Sequence, residues 1–447
     1  MRYIPHTEAE VAAMLAAIGL ESLDDLVAHI PAELRRQAVL DVPNGLGEAD
    51  VTAKLAALAS RNRVAPGLLC FAGAGAYPHF IPSVVDQVIL RSEFATAYTP
   101  YQPEVSQGTL QATFEFQTLI ASLFGLEVAN ASMYDGSTAT AEAVLMAKRI
   151  VPKAGRVLLA ASLHPQYQAV VRTYLEGLSG LECEEVPFGS DGRIDLAELE
   201  RRLSPAPAGV VVGYPNFFGV IEDLRAVAAR TAAAGALLVT VTQETLALGL
   251  LRAPGALGAD ISVGEGQSLG IPLSYGGPYL GLFATRERFV RNMPGRLVGE
   301  TVDEQGRRGY VLTLATREQH IRRERATSNI CTNQGLCALA ATVFLALAGR
   351  LGLRELAERN ARKARYALAR LRERVGAEPA FAAPFFNEFV IRVPNARARH
   401  ERALERGVLA GVPLGEWFPA LDDALLVCAT EVHSADDVDR LAEALRA

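Results

Sequence analysis

GVVVGYPNFFGVIEDLRAVAARTAAAGALLVTVT, residues 209–242, decides the fold. It opens on a short β-branched run, Gly209 to Val212, and closes on a second, Leu237 to Val241. Between them, Leu224 to Ala234 places its apolar residues at helical spacing. Strand, helix and strand in that order form a βαβ unit, and strands connected through such a crossover lie parallel.

The pattern continues on both sides. Further strand-like runs are Arg156 to Ala160, Glu182 to Val186, Asp260 to Val263 and Gly281 to Ala284. Helix-like runs fall between them at Ser137 to Ile150, Gln166 to Glu176 and Asp195 to Leu203, the last with Asp195 and Glu198 at its start. The expected fold class is therefore α/β, a mainly parallel sheet wrapped by helices on both faces. Ligands of such sheets sit at the carboxyl ends of the strands, which limits the candidate loops.

The first candidate is DISVGEGQSLGIPLSYGGP, residues 260–278, read as a tight loop on a sheet edge whose glycines allow close backbone approach. The second, ASMYDGSTATAEA at 131–143, puts Ser137 and Thr138 at the start of a helix. Free N–H groups, the helix dipole and two hydroxyls make either a phosphate cradle or an ordinary capped helix. In ASLHPQYQ, residues 161–168, His164 follows a strand, as a ring for stacking on a pyridine or as a plain hydrogen-bonding group. In GYPNFFGVIED, residues 213–223, Asn216 follows the Gly209 strand. The Gly73-Ala74-Gly75 pair lacks the third glycine, the preceding βαβ context and the later acid of a dinucleotide loop, and is not read as one.

Two segments outside the alternation are rich in polar tips. In FATAYTPYQPEVSQG, residues 94–108, Pro100 and Pro103 enforce an extended path that displays Tyr98, Tyr101, Gln102, Glu104 and Gln107. A helix is expected from Thr109, with Leu110, Phe114, Leu119 and Phe124 on its apolar face. The stretch 306–335 carries Arg317, Arg322, Arg323 and Arg325 beside His320, then Thr327, Ser328 and Asn329. It is either a solvated face or a group that reaches a phosphate across a dimer interface.

The ends of the chain complete the layout. Residues 1–61 read as an arm of short helices: one capped by Thr7 and Glu10 with Val11, Met14, Leu15 and Ile18 in a stripe, one begun at Ser22 or Asp24 and stopped by Pro31, and one from Glu48 to Arg61. Such an arm packs on a neighbouring subunit or on its own body. Residues 62–325 form the large domain. Residues 326–447 form a small α/β domain: a long helix, strands at Phe386 to Val393 and Ala424 to Cys428, and helices at Ala396 to Arg406 and Ser434 to Leu445.

Composition narrows the function classes. The chain has 447 residues, half of them hydrophobic, and a net charge of -6, which argues against nucleic acid or an acidic membrane as partner. Five scattered cysteines without metal-ligand spacing predict a reduced, cytoplasmic protein with no metal site. The most apolar run, Cys337 to Gly349, is short for a membrane span and ends at Arg350. No signal peptide is read at the start. The lysines are Lys54, Lys148, Lys153 and Lys363.

The strings TAYTPYQPEVSQG, NASMYDGSTATAEA, GIPLSYGGP, PGRLVGETVD and TREQHIRRERATSNICTNQ resemble the glycine cleavage system P-protein over essentially the whole chain. The resemblance is to the amino-terminal half of its single-chain form, or to the first subunit where the protein is split. It implies the aspartate-aminotransferase-like fold of pyridoxal phosphate enzymes. The family's cofactor lysine lies in the other half, in a loop that aligns with Glu265 to Pro272, where this chain has Gln267. The acid that pairs with the pyridine nitrogen is replaced by Thr242-Gln243. Ser137, Thr138, His164, Asn216 and Gln267 would then line a relic pocket.

On this resemblance pyridoxal phosphate is bound covalently by the lysine-bearing P-protein subunit 2, as part of a heterodimer or heterotetramer. The complex decarboxylates glycine, releases carbon dioxide and passes the aminomethyl group to the lipoyl arm of the H-protein, alongside the T-protein and L-protein of the same system. Tyr98, Tyr101, Gln102, Glu104, Thr327, Ser328 and Asn329 are expected to complete the partner's site. The alternatives are a purely structural or regulatory subunit, and an independent pyridoxal enzyme, which Gln267 opposes.

Overall fold

The computed structural model describes residues 5–38, 41–64 and 67–446. Residues 1–4 and 39–40 of the expected arm, together with 65–66 and 447, lie outside the described residues. The chain divides into two compact units, Met1–Val64 and Ala65–Ala447.

The described residues of the first unit form four helices, Glu8–Ala17, Leu23–Leu26, Ala32–Gln37 and Glu48–Ala59. Thr7 and Glu10 close a reciprocal capping box, and Ser22 and Asp25 close another. Pro31 does not stop a single second helix, as the sequence suggested. It is the N-cap of Ala32–Gln37, so the segment is two short helices. The physical reason is that proline pushes the residue before it out of helical geometry but is well suited to the entry of a new turn. Of the predicted stripe only Leu15 is buried within the unit, while Met14 and Ile18 are exposed.

The second unit is built on a seven-stranded sheet. In spatial order its strands are Val128–Ala129, Gly281–Thr285, Ile261–Glu265, Leu237–Thr242, Gly209–Gly213, Arg156–Ala160 and Glu182–Val186. The five from Ile261 onward in that order pair in parallel, and Gly281–Thr285 is antiparallel to both its neighbours. The strand Ile261–Glu265 is therefore interior. The reading of its loop as lying on a sheet edge is corrected, because Gly281–Thr285 returns alongside it and covers that side.

Alternation along the strands assigns the two faces. Leu158, Val210, Val212 and Leu238 join a core with Phe116, Ile120, Leu224 and Phe344 from the helices Gln107–Phe124, Leu224–Ala233 and Gly335–Val375. Val157, Leu159, Val211, Val239 and Val241 face the opposite core, with Val144 and Met146 of Gly136–Ile150 and Val171 of Pro165–Leu175. Each fully buried valine or leucine of this kind contributes about 1.5–3 kcal/mol. A charge at Val211, with both neighbours in the sheet paired, would break the layer.

A four-stranded antiparallel sheet, Glu378–Pro379, Glu388–Arg392, Ala424–Cys428 and Val412–Pro413 in order, makes a lobe of the same unit. Helix Gly335–Val375 runs between the sheets and is kinked at Gly349, whose φ of 55° suits a residue without a Cβ. One window of this helix is long and apolar enough to cross a membrane by length and composition. Its Ala341, Phe344 and Leu345 nevertheless close the same core as the sheet. A hairpin, Leu297–Val302 with Arg308–Thr313, was not foreseen.

Candidate functional site

At the carboxyl end of the sheet, Gln267, which the resemblance sets at the lysine position, is fully engaged. Gln267 is 2% exposed; its Oε1 accepts from the Tyr77 N–H at 2.8 Å, and its Nε2 donates to the Tyr77 carbonyl at 3.1 Å and the Ile271 carbonyl at 2.8 Å. Two residues earlier, buried Glu265 occupies the start of helix Gly136–Ile150. Its Oε2 accepts from Gly136 N–H at 2.9 Å, and Oε1 accepts from Gln267 and Leu280 N–H at 3.1 and 2.9 Å. Burial pushes its pKa up to about 8 against the pull of these N–H groups.

The candidate cradle is turned inward as well. Ser137 Oγ and the Thr138 N–H both donate to Asp135 at 2.8 Å, and Thr138 Oγ1 donates to it at 2.5 Å. Of the two sequence readings, the geometry is that of a capped helix. His164 donates from Nε2 to the Ala74 carbonyl at 2.9 Å and accepts the Gln166 N–H on Nδ1 at 3.1 Å. Its ring stacks on Tyr167 at 5.0 Å and meets the edge of Phe217, and burial pulls its pKa down to about 4. Asn216 donates to Gly192 and Glu222 and accepts from Phe218 and Val220, which makes it the clamp of a turn.

A pyridoxal phosphate enzyme needs an amine for the covalent link, an open anion cradle and an acid for the pyridine nitrogen. This centre offers an amide with no free hydrogen-bonding group, a helix start that already holds Glu265, and Thr242-Gln243 where the acid would stand. The residues present do not fit that cofactor.

Next to this centre lies a cluster that the sequence reading missed. Buried His79 bridges two carboxylates, Glu244 Oε2 at 3.0 Å and Glu431 Oε2 at 2.8 Å. Asn387 also donates to Glu244, and Asn360 and the Phe80 N–H donate to Glu431. Burial alone would lower the pKa of His79, but the two carboxylates outweigh it and raise it to about 9. Burial likewise works against the ionised form of Glu431, yet the bond to His79 brings its pKa down to about 2.

The predicted rim behaves differently. Tyr98 is 86% exposed, and with Pro100, Arg296, Asn333, Gln334 and Leu336 it lines a cleft of about 340 Å³. Tyr101 is half exposed, and its Oη accepts from Arg296 Nη2 at 3.0 Å. Gln102 and Glu104 are exposed on the same segment. In the triplet, the Thr327 N–H donates to the Arg317 carbonyl, Ser328 Oγ donates to Glu142 at 2.6 Å, and Asn329 is exposed. Thr327 and Ser328 line a small cavity with Arg296, so Arg296 stands between the two predicted segments. Arg317 leaves the expected charge run: it is buried and caps the carbonyls of Met293, Gly295 and Leu314, while Arg322, Arg323 and Arg325 stay exposed.

The sequence model of the glycine cleavage system P-protein matches residues 1–445. The chain belongs to the glycine cleavage system P-protein family. Curated relatives include a probable glycine dehydrogenase (decarboxylating) subunit 1 of Anaeromyxobacter dehalogenans, 54% identical, with all of both chains covered. Another of the same name from Desulforamulus reducens is 50% identical over the full length of both. The crystal structure of an inhibitor-bound glycine decarboxylase (P-protein) of the glycine cleavage system is similar at a TM-score of 0.91 and 47% identity, covering 100% of this chain and 99% of that one. The sphingosine-1-phosphate lyase of Burkholderia pseudomallei, at 16% identity and a TM-score of 0.66 over 91% of this chain and 92% of that one, shares the fold. The family thus agrees with the α/β class read from residues 209–242. Glu265, Tyr77, His79 and Arg296 are what sequence reasoning missed; Glu265 and Arg296 lay inside stretches already singled out.

Proposed function

We propose that this chain is the first subunit of a glycine dehydrogenase (decarboxylating), the one that does not carry the cofactor. The observation that bears most weight is the engagement of Gln267 and Glu265: the amide and the helix start where the cofactor would bind are already bonded within the chain. On this reading pyridoxal phosphate is bound covalently by the lysine-bearing subunit, in a cytoplasmic heterodimer or heterotetramer. The complex decarboxylates glycine, releases carbon dioxide and hands the aminomethyl group to the lipoylated H-protein, with the T-protein and L-protein acting after it.

This chain's part is to present polar groups to the partner. Tyr98, Tyr101, Gln102 and Glu104 are the exposed tips of one segment, and Thr327, Ser328 and Asn329 follow on another. In a site from which water is excluded, such donors and acceptors orient the substrate and stabilise developing charge. The test is reconstitution: carbon dioxide release from carboxyl-labelled glycine, with H-protein present, is measured for each subunit alone and for the pair. Activity only in the pair is the expected result; release by this chain alone would refute the reading.

A further inference from the structure

Sequence reading assigned Arg296 no role of its own, yet at the rim its side chain meets four partners, Cys331, Tyr101, Asn333 and Glu318. It is 6% exposed, and its guanidinium donates to the Cys331 carbonyl at 2.6 Å, to Tyr101 Oη at 3.0 Å and to Asn333 Oδ1 at 3.3 Å. Its Nε lies 3.5 Å from a carboxylate oxygen of Glu318. Asn333 is itself fastened to the Ala131 carbonyl and Ser132 Oγ, and the Arg296 carbonyl accepts the Ala131 N–H. The planar fork is therefore anchored through the loop after strand Val128–Ala129 and through the entry of the long helix. Of the side chains it contacts, Tyr101 is the one that is more than half exposed.

That contact sets a hydrogen-bond polarity. A phenol is both donor and acceptor, whereas a guanidinium only donates. With Arg296 on its oxygen, Tyr101 accepts on that side, and its own O–H is left to donate elsewhere. The guanidinium carbon also lies 5.5 Å from the centre of the Tyr101 ring, and the ring meets His320 edge-on at 5.7 Å, so the side chain is held by its face, edge and tip. A half-exposed tyrosine would otherwise sample several rotamers.

We infer that Arg296 is a positioning residue for the glycine reaction: it fixes Tyr101 as an oriented hydrogen-bond donor for the site completed with the partner subunit. The inference rests on the proposed role of the Tyr98 to Glu104 segment. Lysine cannot replace arginine here, because one ammonium on a flexible stem does not serve three acceptors in a plane.

The experiment is a double-mutant cycle in the reconstituted complex with saturating H-protein, using Arg296→Lys, Arg296→Gln, Tyr101→Phe and the double variants. Assembly with the partner is checked by gel filtration before assay. The expected result is a loss of about tenfold in kcat for Arg296→Lys and for Tyr101→Phe, little change in the KM for glycine, and no further loss in the double variant, as befits two groups acting as one. If Tyr101→Phe is silent, the reading of the whole segment fails and this inference with it. If Tyr101→Phe is costly but Arg296→Lys is silent, or the two losses multiply, the positioning role alone fails. Failure of both arginine variants to assemble would replace it with a purely structural role.

Discussion

Glu265 and Gly136 lie 129 residues apart in the chain, and a 2.9 Å hydrogen bond joins the carboxyl of one to the backbone N–H of the other. The bond places an acidic group of the chain at a helix start, the kind of position that attracts an anion from outside. A ligand phosphate there would have to displace a buried side chain held by three N–H groups.

The purified chain is therefore expected to take up no pyridoxal phosphate. Incubation with the cofactor, gel filtration and borohydride reduction should leave no label on the protein and no visible absorption of a pyridoxal–lysine linkage, since Gln267 provides an amide and not an amine. A reduced label on any of the four lysines in stoichiometric amount would contradict the geometry.

Tyr98 and Gln267 should separate activity from stability. Tyr98→Phe removes an exposed polar tip and should lower glycine decarboxylation by the complex roughly tenfold to a thousandfold, about 1.4–4 kcal/mol, without changing the urea midpoint. Gln267→Ala leaves Tyr77 and Ile271 backbone groups without their partner and should lower stability by about 2–4 kcal/mol, with little change in activity per assembled complex. The opposite pattern would move the working site into the interior.

The His79 clamp makes stability depend on pH in a defined window. The folded pKa of His79, about 9, lies above its ordinary 6.5, so its contribution is complete below pH 6.5 and is lost as pH rises through 9. The folded pKa of Glu431, about 2, lies below its ordinary 4.5, so its contribution is present above pH 4.5 and is lost as pH falls through 2. The clamp is strongest between about pH 4.5 and 6.5, and the alkaline loss is on the order of 3 kcal/mol. Urea unfolding at pH 5.5, 7.5 and 9.5 should show that loss in the native chain in excess of the loss in His79→Gln, since the titration of Glu265, whose pKa is raised to about 8, is common to both.

The first unit should need a partner surface. Of its described residues only Leu15 is buried within the unit, while Met14, Ile18, Leu23, Leu55 and Leu58 are exposed. The lone chain is expected to self-associate, and co-expression with the lysine-bearing subunit should give a stable complex. Ile18→Asp combined with Leu55→Asp should reduce co-purification by at least about tenfold, as expected when apolar anchors are lost. Undiminished recovery would place the interface elsewhere.

Much of the architecture was legible because it is local. Periodicity over five to fifteen residues identified the strands from Arg156 to Thr285 to within two residues, and Asp195, Ser434 and Thr7 announced their helices. The hairpin Leu297–Val302 with Arg308–Thr313 escaped because its exposed half carries Glu300, Asp303, Glu304, Arg307 and Arg308, which erase the apolar alternation. The site divided along the same line. Gln267 was proposed through the family resemblance and Tyr98 through the polar tips of its own segment, whereas Arg296 and Tyr101 meet across 195 positions and His79 and Glu431 across 352. No window of sequence holds such pairs, and their chemistry appears only once the sheet has brought them together.

The clamp also bears on how the chain is made. His79 emerges early in synthesis, Glu244 is its neighbour 165 positions later, and Glu431 arrives after 352. At about 5–20 residues per second, tens of seconds separate the first member from the last. Through that interval the imidazole has at most one of its two carboxylates, and the segment around Tyr77 lacks Glu388 as well. The nascent protein thus carries this one part of its interior open on the ribosome until translation is nearly finished, although the strands of the large sheet, which end at Thr285, are all made well before then.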